Sequence, residues 1–383
     1  MATLEETLAA LLASGQGKVV KQFAQATVDR VRSAEARLTT LEQAPVPEPP
    51  VPAPEPAPEP APEPAPPPPP PANPYKSRVG FCYHAERFSI DVVKAAFAGM
   101  VATGSPWVRD DFVWSLIEPA KGSFSWGRYD AIMSAAKAAG VKVLPILNNT
   151  PDWNKRVAGT GFSEPKDLGA LGNFGRQIVL RYEVEAIEVY NEPYGWWSSQ
   201  TSDRYAYYAK MVRAVEQTVH AARPEVKILF CAQWYSWRLG NWFEKLLAVD
   251  PGLVTLPNVV LSQHPYTCSQ DPSLQLAPVV SGVTSFDSTK AARDLAVAKG
   301  GTGITWITEV GWEWDGATAK QSPAACWVSE AKQADYYVKA VKRALGEWGS
   351  WCERVIFYVW ERDLGWQARP ATVAALKTLI AGG

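Results

Sequence analysis

From Val79 to the C-terminus the chain alternates short β-branched or aromatic runs with longer amphipathic stretches. The runs VGFCY (79–83), PWVRDD (106–111), VKVLPIL (141–147), EAIEVYN (185–191), VKILFCA (226–232), NVVLSQHPY (258–266), GITWITE (303–309) and RVIFYVW (354–360) predict eight strands. Several are nearly continuous in apolar character, as expected of parallel strands covered on both faces. Helical spacing predicts helices near 88–103, 126–140, 165–182, 202–222, 239–249, 287–299, 330–348 and 370–381, with Ser202 before Asp203 a candidate N-cap for the fourth. Eight strand–helix pairs over residues 75–383 predict an α/β fold, a (β/α)₈ TIM barrel. An open doubly wound sheet would require a Gly-rich phosphate loop, and neither GxGxxG nor GxxxxGK[ST] occurs.

The pattern breaks upstream. Residues 44–74 read APVPEPPVPAPEPAPEPAPEPAPPPPPPANP, which predicts an extended, semi-rigid polyproline spacer with nothing to bury. Before it, Val20, Ala24, Thr27, Val31, Ala34, Leu38 and Leu41 alternate at spacings of four and three. Segment 1–43 therefore reads as helical, open both to self-association or particle attachment and to a lone amphipathic helix. The start, MATLEETLAALLASGQG, has acids where a secretory signal carries a positive region. No stretch is long and apolar enough to span a membrane. A net charge of −1 gives no electrostatic case for nucleic acid. The five cysteines at 82, 231, 268, 326 and 352 show no metal-ligand spacing and read as buried thiols. A bond between Cys268 and Cys326 stays open, because they lie on the long loops after two neighbouring strands.

Barrel enzymes work at the C-terminal ends of their strands, and polar residues collect there. Strand two ends in Arg109-Asp110-Asp111, strand four in Asn191-Glu192, strand six in His264-Pro265-Tyr266, strand seven in Glu309 and strand eight in Trp360-Glu361. Glu192 and Glu309 would face each other across the barrel mouth. Two carboxylic acids flanking a bond are what glycoside hydrolysis needs. A chain with 17 Trp can also supply indole platforms for sugar faces.

These residues resemble the glycoside hydrolases of clan A, the retaining (β/α)₈ enzymes, and most closely the family 39 and family 5 type. The likeness rests on VRDDFVWSLIEPAKGSFSWGRYD (108–130), VLPILNNTPDW (143–153), VYNEP (189–193), SQHPY (262–266) and WITEVGW (306–312). It implies that Glu192 is the acid/base and Glu309 the nucleophile. Asn191 would bond the sugar 2-hydroxyl, and Arg109 and Tyr266 would support the nucleophile. His264 would line the site and Trp360 would form the floor under the sugar. Trp153 and Trp312, on the loops after strands three and seven, are expected as further sugar contacts. Trp196, Trp197, Trp234, Trp237 and Trp314 are open to either platform or anchor roles. An acid has to be protonated near neutrality, so Glu192 is expected to have a raised pKa. The partner implied is a carbohydrate, and no metal or cofactor is implied. The alternatives are a barrel that binds a glycan without cleaving it, and a virion-type adhesin.

Overall fold

A computed structural model describes residues 73–159, 163–196, 203–236, 240–318, 320–361 and 365–382. The helix expected over 1–43 and nearly all of the spacer over 44–74 lie outside them. Eight parallel strands close into a barrel: β1 (Val79–Cys82), β2 (Trp107–Val113), β3 (Lys142–Asn148), β4 (Ala186–Val189), β5 (Lys227–Cys231), β6 (Val259–Gln263), β7 (Thr305–Ile307) and β8 (Cys352–Phe357). Each strand pairs with its sequence neighbours, and β8 closes on β1 through Val79–Val355 to Phe81–Phe357.

A helix follows each strand: α1 (Ile90–Ala102), α2 (Gly127–Ala139), α3 (Leu168–Arg181), α4 (Arg204–His220), α5 (Trp242–Val249), α6 (Ser288–Ala298), α7 (Glu330–Val341) and α8 (Pro370–Gly382). Their ends carry the local chemistry the sequence announces. Asp167 caps α3 by accepting from the Ala170 amide at 3.0 Å, and Ser329 caps α7 through the Lys332 amide at 3.2 Å. Gly140 ends α2 at φ 73°, the left-handed conformation glycine adopts freely. At α4 the N-cap position is Asp203, whose side chain makes no capping bond and pairs with Arg156 instead. The helix expected over 330–348 is α-helical to Val341 and continues as a π-helix over Lys342–Glu347. No helix among the described residues is long and apolar enough to cross a membrane.

Period-two alternation sorts each strand between two cores. One side packs against the helices, with Phe81, Val108, Ile187, Phe230, Leu261 and Val355 fully or nearly buried. The other fills the barrel with Cys82, Trp107, Leu144, Ala186, Leu229, Val260, Trp306 and Ile356. Trp107 and Trp306 meet edge to face at 5.0 Å in this interior. Their bulk is accommodated by Gly80, where an added Cβ would stand 2.5 Å from the Cβ of Trp107.

Candidate active site

Two residues further along each strand the interior changes character. Arg109 follows Trp107, Glu188 follows Ala186, Ser262 follows Val260 and Thr308 follows Trp306, all buried. Glu188 is a carboxylate within the apolar strand AIEV, and it is held by ion pairing. Arg109 Nε donates to Glu188 Oε2 at 2.6 Å, and Ser262 Oγ donates to Glu188 Oε1 at 2.6 Å. The guanidinium reaches on to Asn191 Oδ1 at 2.8 Å and to Glu309 Oε1. Arg109 thus pairs with neither Asp110 nor Asp111 among the described contacts. Glu309 takes its second oxygen's bond from the Tyr266 hydroxyl at 2.7 Å. Burial, followed by the nearby Glu309 charge, pushes the Tyr266 pKa well up and keeps it a donor.

Glu192 arrives by a tight turn. Beyond Val189, Tyr190 has φ 62° and Glu192 φ 40°, and Pro193 then opens a short helix over Pro193–Trp196. Both non-glycine residues sit in the left-handed region, an arrangement that clusters at functional sites. Glu192 Oε1 lies 2.9 Å from His264 Nδ1, and the other ring nitrogen lies 3.0 Å from Thr308 Oγ1. One carboxylate oxygen of Glu192, one of Glu309 and a nitrogen of His264 lie within 4.8 Å of one another.

The electrostatics of Glu192 run against the sequence expectation. Burial alone would raise its pKa, but the hydrogen bond and charge of His264, with the Tyr194 hydroxyl and Arg109, hold it below its ordinary value. In His264, burial would lower the pKa, and the charge of Glu309 with the bond to Glu192 raises it instead. The correction is physical: in a desolvated pocket the partners decide the sign, and His264, Tyr194 and Arg109 together outweigh the burial that would raise Glu192.

A cavity of about 980 Å³ opens over this network, lined by Arg109, Asn191, Glu192, His264, Tyr266 and Glu309 among others. Of the nine residues the sequence singled out, six meet there. The structure does not bring Trp153, Trp312 and Trp360 to the cavity lining. Trp153 donates to the Glu118 carbonyl at 2.9 Å and packs edge-on against Trp114. Trp312 is 1% exposed and donates to Thr267 Oγ1 at 3.0 Å. Trp360 turns outward against Phe81 and Gly99, because Val359 takes the interior place after Tyr358. Trp366 and Tyr358 line the cavity instead. Trp314 lies beneath Arg369 at 4.1 Å, and Trp234 packs on the core. The side chains of Trp196, Trp197 and Trp237 lie outside the described residues. Glu118 and Glu313 serve as loop anchors, each accepting a backbone amide at 2.7 Å, from Gly122 and Gln321 respectively.

Residues to which sequence reading assigned no role at the site also converge here. His84, after β1, pairs with Glu361, after β8. Asp111 and Asn148 stand beside His84 on the cavity wall, joined to each other by a 3.3 Å bond. Cys268 and Cys326 form a disulfide that also borders the cavity and ties the loops after β6 and β7. Glu192, His264 and Glu309 are the one trio of donors among the described residues spaced to hold a metal ion. Their atoms are already engaged: the imidazole by Glu192 and Thr308, and Glu309 by Arg109 and Tyr266.

Residues 82–153 match the sequence profile of glycosyl hydrolase family 42, β-galactosidase, a stretch that holds Arg109 and Asp111 but neither glutamate. No curated protein matches the chain. The fold is similar to a family 39 glycoside hydrolase from Bacteroides cellulosilyticus, with TM-score 0.61 and 17% identity over 81% of this chain and 64% of that one. It is similar to the endo-β-1,4-mannanase from Thermotoga petrophila, with TM-score 0.54 and 12% identity over 80% and 77% of the two chains. An intracellular xylanase from Thermoanaerobacterium saccharolyticum gives TM-score 0.52 and 15% identity over 79% and 96%. This chain thus spans less than two thirds of the length of the family 39 protein. At these identities the likeness is one of fold, and in its (β/α)₈ barrel the chain resembles the clan A glycoside hydrolases.

Proposed function

We propose that the chain is a glycoside hydrolase that cleaves a poly- or oligosaccharide by double displacement, with Glu309 as nucleophile and Glu192 as acid/base. The observation that carries this reading is the approach of the two carboxylates, with oxygens within 4.8 Å. Retaining enzymes place their carboxyl groups about 5–5.5 Å apart, whereas inverting ones leave room for a water at roughly 6.5–9.5 Å.

In the first step Glu309 attacks the anomeric carbon while Arg109 and the Tyr266 hydroxyl orient it. The glycosidic C–O bond breaks, and the proton held by the Glu192–His264 pair passes through Glu192 to the leaving oxygen. A glycosyl ester on Glu309 results. With that proton gone to the leaving group, Glu192 stands as a carboxylate base, and the ester's neutrality removes the Glu309 charge that would have repelled it. Glu192 then takes a proton from water, the water oxygen attacks the anomeric carbon, and Glu309 is released. Asn191, held by Arg109, is placed to bond a sugar hydroxyl beside the nucleophile. Trp366 takes the platform role that sequence reading gave to Trp360. The cavity volume of about 980 Å³ stands at the upper end of ligand clefts, about 300–1,000 Å³.

The test incubates wild type, Glu192→Gln and Glu309→Gln with xylan, mannan, galactan and glucan, and follows the first-formed anomer by proton NMR. The reading predicts that wild type releases sugar with retained configuration and that both variants lose several orders of magnitude in rate. Inverted product would refute the double displacement. Binding without cleavage would make the barrel a carbohydrate-binding protein.

A further inference from the structure

We propose, building on the glycosidase reading, that Asp111 is the specificity-determining group of the cavity. On this view the sugar it selects is a neutral glycon held through its hydroxyls, in preference to a uronic acid or a sulfated sugar. The argument is one of charge and partners. Among the described residues, the cations at the cavity are Arg87, His84, Arg109 and His264, and each has a protein carboxylate within ion-pairing distance. Arg109 pairs with Glu188 and Glu309, His84 with Glu361, His264 with Glu192, and Arg87 with Glu86 at 3.2 Å. To pair with His84, Arg109 or His264 an anionic sugar would have to displace a carboxylate, and Arg87, 57% exposed, offers only a solvent-screened charge at the rim.

Asp111 is placed differently. It follows Trp107 and Arg109 on the inward row of β2, and it has no ion pair among the described residues. Its carboxylate has one side-chain partner, Asn148 Nδ2, at a long 3.3 Å from Oδ1. An ionised carboxyl accepts at about four lone-pair sites, so most of its accepting capacity is left for groups that enter the cavity. Asn148 holds it from β3, and His84 stands beside it on the β1 side, so this wall is built of hydrogen-bonding groups. Sugar hydroxyls are donors that satisfy such a carboxylate, while a second carboxylate or a sulfate would be repelled by it. The proposed mechanism gives Asp111 no part in proton transfer.

The experiment compares kcat/KM for 4-nitrophenyl β-glucoside, β-galactoside, β-mannoside and β-xyloside with the β-glucuronide and β-galacturonide. Wild type is expected to favour the best neutral glycoside over either uronide by about 100-fold or more, and Asp111→Asn to narrow that ratio to about tenfold or less. Deoxy versions of the best substrate supply a second readout. The hydroxyl whose removal costs wild type about tenfold or more should cost Asp111→Asn nothing further. A merely structural aspartate would leave the two losses independent. Uronides cleaved as fast as neutral sugars by wild type would overturn the proposal, as would equal deoxy penalties in both proteins. If Asp111→Asn does not fold, the wild-type uronide ratio still decides. If no glycoside is turned over, the catalytic reading fails on its own. Binding of methyl β-glucoside and methyl β-glucuronide, measured by NMR, then decides this one, and a uronide bound as well as the neutral sugar overturns it.

Discussion

The two ends of the barrel interior both hold cations, and they differ in how far those cations are removed from water. At the N-terminal end Lys142 lies 5.6 Å from the Trp107 ring, Lys227 5.9 Å from Trp306, and Arg354 4.9 and 5.2 Å from the two. There the positive groups rest on indole faces, and the two lysines, partly in water, pair with the partly exposed carboxylates of Glu185 and Glu353. At the C-terminal end Arg109 is buried between Glu188 and Glu309, and its guanidinium is saturated by side chains. One end closes the barrel with apolar bulk and keeps its ion pairs in contact with water, where they are worth little. The other stores charge in a desolvated cavity, where each group is held by a specific partner and small displacements are costly.

The largest effects should separate these ends. Glu309→Gln is expected to lower kcat by about 10⁴-fold or more, measured on whichever glycan wild type cleaves. Trp306→Phe at the other end should leave kcat within about threefold while lowering stability by about 1–3 kcal/mol in denaturant titration. A comparable loss of kcat in Trp306→Phe would break the division. Next in size is Arg109→Lys. A lysine cannot reproduce a fork that meets Glu188, Asn191 and Glu309 together. We expect a loss of about 3–5 kcal/mol in stability and at least about 100-fold in kcat, read by the same titration and by steady-state kinetics. Smaller again is the Cys268–Cys326 crosslink, which spans 58 residues. Replacing both cysteines by serine should cost about 2–4 kcal/mol, seen as a lower melting temperature.

How far the sequence reveals this arrangement differs between strand ends and loops. The eight strands stand out because burial on both faces makes runs such as VVLSQ and VGFC. Helix ends were less legible: the caps that form include the side chains of Asp167 and Ser329 and the left-handed Gly140. Arg109, Glu309 and Tyr266 could be placed because each lies within a barrel strand or within three residues of its C-terminal end. Glu188 went unnoticed although its signal was present: a carboxylate inside an apolar strand requires a cation, and Arg109 stood on the inward row of β2. The tryptophans were not legible in this way. An indole at a loop is committed by whichever acceptor its N–H finds, and Trp153 and Trp312 found the Glu118 carbonyl and Thr267, partners far away in sequence. The disulfide was open to inference only through the neighbouring order of the strands that precede it.

The smallest expected effect concerns the pair whose polarity sequence reading reversed. Glu192 has a folded pKa held below its ordinary 4.5, so its contribution to stability is present above that value and is lost as pH falls through the depressed one. His264 has a folded pKa raised above its ordinary 6.5, so its contribution is full below that value and is lost as pH rises through the raised one. Both contributions are therefore complete between about pH 4.5 and 6.5. His264→Gln should destabilise the protein most within that window, by about 1–2 kcal/mol, and progressively less as the pH rises beyond it. Melting temperatures of both proteins across pH 4 to 9 would read the difference, and a gap that widens toward alkaline pH would contradict the charged pair. The same substitution removes the imidazole that retains the shared proton, so the alkaline limb of kcat/KM should move to lower pH. An alkaline limb that stays in place would show that Glu192 keeps its proton without help from His264, and the upper end of the barrel would then be less interdependent than its hydrogen bonds imply.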